Sequence, residues 1–284
     1  EKLNVKAHYH EKFRSATIKL SDDFKIDITT ARHEFYKKPA VLPDIEKSSL
    51  KMDLYRRDFT INTLAINLNP DKFGLLIDYF SGQKDLYDKA IRILHNLSFI
   101  EDPTRAFRAV RFEQRFGFKV GKLTEGLLKT AVKMNVFAEL SGYRILNEIN
   151  YILNEDDPVP AIIRLYGLNL FSFLSKDLKL DSHKIEKLHL LKKVISWQDL
   201  NFSHEKYNKW VIYLLILFQD LNDKETVTIC EKLSILNDIK KILTLTKFQA
   251  ENDLILIENK RDLKNSTLYF NLITYPTEII LYMM

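Results

Sequence analysis

Glu101-Asp102-Pro103-Thr104-Arg105-Ala106-Phe107-Arg108-Ala109-Val110-Arg111-Phe112, running on to Arg115 and Phe116, is the stretch from which the fold can be read. Asp before Pro marks a helix start, because a carboxylate accepts from free backbone N–H groups and Pro suits the first helical position. At about 100° per residue, Arg105, Arg108, Arg111 and Arg115 fall within an arc of roughly 120°, while Ala106, Phe107 and Val110 face elsewhere. One side of such a helix packs, and the other carries a column of guanidinium groups. A planar guanidinium beside a carboxylate matches the donor–acceptor edge of a nucleobase, and further arginines suit phosphates. The competing reading is a solvated charged face, or arginines that only bridge parts of the protein through acidic residues.

Glu-Asp-Pro-x-Arg-x-x-Arg-Ala-x-Arg-Phe resembles the nucleotide-selecting motif of the class II tRNA nucleotidyltransferase and bacterial poly(A) polymerase family. Upstream, Leu54-Tyr55-Arg56-Arg57-Asp58-Phe59-Thr60-Ile61-Asn62-Thr63-Leu64-Ala65 is similar to that family's Arg-Arg-Asp motif. The likeness covers about residues 5 to 175. It implies an α+β fold: a partial polymerase-β-like head with a mixed sheet over residues 1–97, a helical neck over 98–157 and a helical body over 158–284.

The resemblance also implies roles. Asp102 and Arg105 would read the base of ATP or CTP, with Arg108 and Arg111 fixing geometry or phosphates. Arg56 and Arg57 would hold nucleotide phosphates. Asp58 would accept from the ribose hydroxyls, with Asn62 nearby. Arg115 and Arg144 would touch RNA. Asp27, on a strand where Phe24, Ile26 and Ile28 face the other way, would be a catalytic, metal-associated acid; read from the residues alone it is an exposed strand carboxylate. Asp78, Gly82, Asp85 and Arg92 resemble an element that lets the head move, although a turn with a charged rim fits equally.

The implied activity is template-independent addition of C and/or A to the 3′ end of tRNA through two Mg2+ ions. The partners would be that RNA end and ATP and/or CTP, in the cytoplasm. The family's Gly-Gly and Asp-x-Asp pair are not found ahead of Lys6, so the chain is expected to be an interior, C-terminally truncated piece of a longer protein and inactive alone. Two alternatives follow: a catalytically incomplete nucleotide- or RNA-binding fragment, or a poly(A) polymerase acting on other RNA.

Composition agrees without deciding. In 284 residues, 43 Lys+Arg against 38 Asp+Glu leave a net charge of +5, compatible with a nucleic-acid partner. The single Cys230 rules out an internal disulfide framework and reads as a small buried apolar residue. The apolar run Trp210 to Phe218 is too short to cross a bilayer.

The remaining pattern predicts strands at Ala16–Leu20, Phe24–Thr29, Leu75–Tyr79 and Ile91–Leu94, the last two joined by a turn over 81–85. A helix is expected around Arg56 to Asp58, with Asp58 capping a further turn, and a mobile loop at Lys37–Ser49. Further helices are predicted at Thr124–Lys133, from Ser141 with Arg144 and Glu148 one turn apart, from Pro158, and at Lys184–Trp197, Ser203–Leu221, Lys224–Leu233 and Asp238–Gln249.

Overall fold

The computed structural model describes residues 6–11, 14–21, 24–35, 44–201, 206–259 and 264–284. The chain divides into two compact units, residues 1–102 with 119–127, and residues 103–118 with 128–284.

The first unit carries the strands. β1 (Lys6–His10), β2 (Ser15–Lys19) and β3 (Lys25–Thr29) form an antiparallel sheet in the order β1-β2-β3. The register places Thr17 opposite Asp27 and Ile18 opposite Ile26, as alternation along β3 requires. Residues 22–23 and 36–43 lie outside the described residues, and with them most of the turn Ser21–Asp23 expected between the first two predicted strands and of the expected loop Lys37–Ser49. Asp44–Lys47, placed in that loop by the sequence, instead pairs antiparallel with Arg32–Phe35.

Next, α1 (Leu50–Tyr55) starts at Ser49, whose hydroxyl accepts from Met52 N. It ends before the arginine pair, with Arg56 at the C-cap, so Arg57 and Asp58 lie beyond the helix expected to contain them. Cations at a helix C-terminus are favoured by the exposed carbonyls there. Short strands Ala65–Ile66 and Leu76–Ile77 pair antiparallel, and Ala90–Ile91 pairs in parallel with Lys119–Val120. The expected turn over 81–85 is a helix, α2 (Gly82–Tyr87). Leu54, Phe59, Ile91 and Phe99 form the buried apolar centre of this unit.

A one-turn helix, α3 (Ser98–Glu101), precedes α4 (Thr104–Phe116). Asp102 is extended (φ −136°, ψ 90°) and Pro103 already helical (φ −62°, ψ −20°), the backbone that the Asp-Pro pair predicts. Gly117, at φ +62°, stops α4, and Phe118 N closes the end on Glu113 O at 2.9 Å.

The regular elements of the second unit, among its described residues, are helices: α4, the second half of α5 (Lys122–Lys133), α6 (Gly142–Leu153), α7 (Val159–Gly167), α8 (Ser182–Asn201), α9 (Lys209–Leu217) and α10 (Asp223–Lys232). The single helix expected over 238–249 is α11 (Asn237–Lys241), a π turn at Ile242–Thr246 and α12 (Lys247–Asn259); α13 (Asn265–Leu272) and α14 (Thr277–Met283) follow.

α4 packs Ala106, Phe107, Ala109 and Val110, none with exposed surface, against α6 and α7. α9 is buried from Trp210 to Leu217 and forms the centre of this unit. Among the described residues no helix is long and apolar enough to cross a membrane. Cys230 is buried as expected, and burial pushes its thiol up to about 11.

Candidate nucleotide and RNA site

In the first unit the arginine pair is organised by a residue that the sequence reading overlooked. Asp53, 4% exposed, accepts from Arg56 Nε at 3.1 Å and from a terminal nitrogen of Arg56 at 2.9 Å. Arg57 stands 3.8 Å from its other oxygen and also donates to the Asn62 carbonyl at 3.1 Å. Asp53 further accepts from Arg32 N at 3.1 Å, which ties α1 to the strand Arg32–Phe35. The signal was present in the i,i+3 and i,i+4 spacing of Asp53 to Arg56 and Arg57.

Asp58, also buried, does not cap the 3₁₀ turn Thr60–Asn62, whose N-cap is Phe59. Its Oδ1 accepts from Phe59 N at 2.9 Å and from the Asn62 amide at 2.8 Å. The Asn62 amide thus meets the carboxylate rather than a backbone group, and fixes its orientation.

The Asp78–Arg92 segment is a built network rather than an open turn. Asp78 accepts from Gly82 N at 2.8 Å, Gln83 N at 3.0 Å and Phe80 N at 3.3 Å, holding the first turn of α2. Partial burial acts to raise the Asp78 pKa, but these backbone donors outweigh it and hold the carboxyl below its ordinary range. Asp85, buried, accepts from the Thr60 hydroxyl at 2.5 Å and from Arg92. Gly82 is needed by close approach, because a Cβ there would lie 2.5 Å from the Thr60 carbonyl.

Asp27 is exposed and accepts from the Thr17 hydroxyl at 2.6 Å. Among the described residues no group of three or more His, Cys, Asp or Glu side chains could hold a metal ion. One strand carboxylate does not make a two-magnesium centre, so those residues do not fit that cofactor by themselves.

Asp102 is half-buried at the end of the first unit, and Arg105, 4% exposed, lies in the first turn of α4 in the second. The rest of the arginine column is not a naked charged face. Glu148 of α6, 8% exposed, lies 3.7 Å from Arg108 and 4.0 Å from Arg111, and Glu155 lies 3.5 Å from Arg115. Glu148, expected to pair with Arg144, faces Arg108 and Arg111 of the arginine helix. On the same helix, Glu113 accepts from Arg164 of α7 at 2.8 Å. Ser141 precedes α6 without a side-chain capping bond. Gly142 packs so closely on the Lys232 carbonyl that no Cβ fits.

Comparison with solved structures decides the family. A crystal structure of a tRNA nucleotidyltransferase complexed with a primer tRNA and an incoming ATP analogue superimposes with a TM-score of 0.82 at 34% identity, over 99% of this chain and 78% of that one. The chain belongs to the class II tRNA nucleotidyltransferase family.

Other comparisons agree with this class II assignment. The model of the poly(A) polymerase head domain matches residues 1–92. An A-adding tRNA nucleotidyltransferase of Geobacter sulfurreducens is 45% identical over 100% of the chain, and one of Aquifex aeolicus is 37% identical over 99%. The chain spans about a third of the length of these two curated relatives. A CCA-adding enzyme in an apo form reaches a TM-score of 0.87 at 36% identity, over 99% of this chain and 65% of that one. Within a class II nucleotidyltransferase, the Arg56–Asn62 cluster and the Asp102–Arg115 segment are the two motif regions quoted above; the first lies in the first unit, and the second begins there at Asp102 and continues along α4 in the second.

Proposed function

We propose that this chain selects and positions ATP and/or CTP, and the RNA end that receives it, in template-independent addition of A and/or C to the 3′ end of tRNA. The observation that carries the reading is the start of α4: an extended, half-buried Asp102 followed by a buried Arg105 in the first turn of an arginine helix. A carboxylate accepts from the exocyclic amine of cytosine or adenine, and a guanidinium donates to the adjacent ring nitrogen. Uracil and guanine present the opposite pattern and leave buried groups unpaired, at a cost of ~1–3 kcal/mol each.

Arg56 and Arg57, braced by Asp53, would receive the phosphates. Asp58, oriented by Asn62, would accept from the ribose hydroxyls. Arg108 and Arg111, beside Glu148, would fix the geometry around the nucleotide, and Arg115 and Arg144 would meet RNA. Asp27 would contribute a single carboxylate to any divalent-ion site.

Incorporation of labelled ATP or CTP into tRNA by this chain tests the proposal. The alternative is nucleotide and RNA binding by this chain without catalysis. ATP binding that is lost in Asp102→Ala, without any incorporation by the unaltered chain, is the result that favours it.

A further inference from the structure

We infer that the outer side of α4, together with Tyr151 of α6, is a stacking platform for the unpaired nucleotides of an RNA 3′ end. The inference rests on the proposed function and extends it from the incoming nucleotide to the RNA. Guanidinium planes and aromatic rings alternate here. The Arg108 and Arg111 guanidinium carbons lie 5.5 and 5.3 Å from the Phe112 ring centre, and Arg111 lies 5.0 Å from that of Tyr151. Arg115 stands 5.9 Å from the Phe116 ring. Phe112 and Phe116 stack at 5.5 Å with 20° between planes, and Phe118 continues the row at 5.7 Å from Phe116.

Two of these rings are open to solvent: Phe116 is 48% exposed and Tyr151 57%. Phe107, on the opposite side of the same helix from Phe116, has no exposed surface. The neighbouring arginines already face Glu148 and Glu155, so their charge toward phosphate is partly offset. What the surface still offers is flat: ring faces and guanidinium planes, on which bases stack without sequence preference. A net positive balance beside exposed rings suits single-stranded RNA better than a protein partner's mixed surface.

The test uses the full chain and a short single-stranded RNA ending in cytidines, with 2-aminopurine near its 3′ end to report stacking. The unaltered chain is expected to bind it and quench the fluorophore. Phe116→Leu and Tyr151→Leu keep apolar bulk and remove a ring; each is expected to weaken binding roughly tenfold and to lose quenching, while Tyr151→Phe retains both. ATP binding, measured separately, should be unchanged in all three. Wild-type RNA affinity in both Leu variants, unchanged quenching, or no RNA bound at all would overturn the platform. RNA binding that depends on these rings in a chain that binds no ATP would uphold the platform and remove the proposed function.

Discussion

The Glu148 carboxylate lies 3.7 Å from the Arg108 guanidinium, joining α6 to the arginine helix from a buried position. It also stands 4.0 Å from Arg111. Removing it leaves two cations facing a partly desolvated gap, and breaking such a group from one side costs more than the group contributed. Glu148→Ala is expected to lower stability by about 2 kcal/mol, less than for a fully enclosed pair, because the Arg108 side chain is 31% exposed. Urea denaturation measures this, and an unchanged midpoint would show that the acid does not organise the column.

Asp53 should matter for binding as well as folding. Its bonds to Arg56 and to Arg32 N set the direction of the first guanidinium, and Arg57 follows through the other oxygen. Asp53→Asn is expected to cost ~2 kcal/mol of stability, the scale of charge-assisted hydrogen bonds, and to weaken ATP binding more than it weakens adenosine binding. Calorimetric titration of both ligands separates the effects; equal loss for both would remove the phosphate role from the arginines.

At Asp58 the expected change is in selectivity. Its carboxylate, oriented by Asn62, is the kind of acceptor that ribose hydroxyl groups require. Asp58→Ala should bring ATP and dATP to similar affinity, while the unaltered chain prefers ATP. No preference in the unaltered chain would place the ribose elsewhere.

Stability at low pH should depend on Asp78. Its folded pKa lies below the ordinary 3.8. The bonds to α2 therefore stabilise the fold at neutral pH, and this contribution is lost as the pH falls through the depressed value. Asp78→Asn should have a flatter stability profile than the unaltered chain below pH 5, measured by thermal melts across that range. Parallel profiles would show that the carboxyl is not linked to folding there.

How much of this was legible in the sequence varies by element. α4 could be read almost to the residue, because its apolar spacing, the Asp-Pro start and the Gly117 stop all act locally. α2 could not: six residues opening with glycine look like a turn. Its first N–H groups are satisfied by Asp78 across Ser81, whose left-handed φ of 61° no composition rule signals. The end of α1 was misplaced because Arg56 and Arg57 are good helix formers, and only Asp53 beneath them shows where the chain turns away. The π turn at Ile242–Thr246 carries no sequence signature of its own. The partners of the motif residues were not legible. Whether Arg108 meets a phosphate, an acid or a ring depends on which helix lies alongside, and that is decided by packing.

Base selection by Asp102 and Arg105 is tested most directly by equilibrium binding of ATP, CTP, GTP and UTP to the chain and to Asp102→Asn. The expected result is that ATP and CTP bind the unaltered chain at least about tenfold tighter than GTP and UTP, and that the asparagine variant loses the distinction while keeping its fold. Equal binding of all four nucleotides by the unaltered chain, or an undiminished preference in the variant, would contradict it.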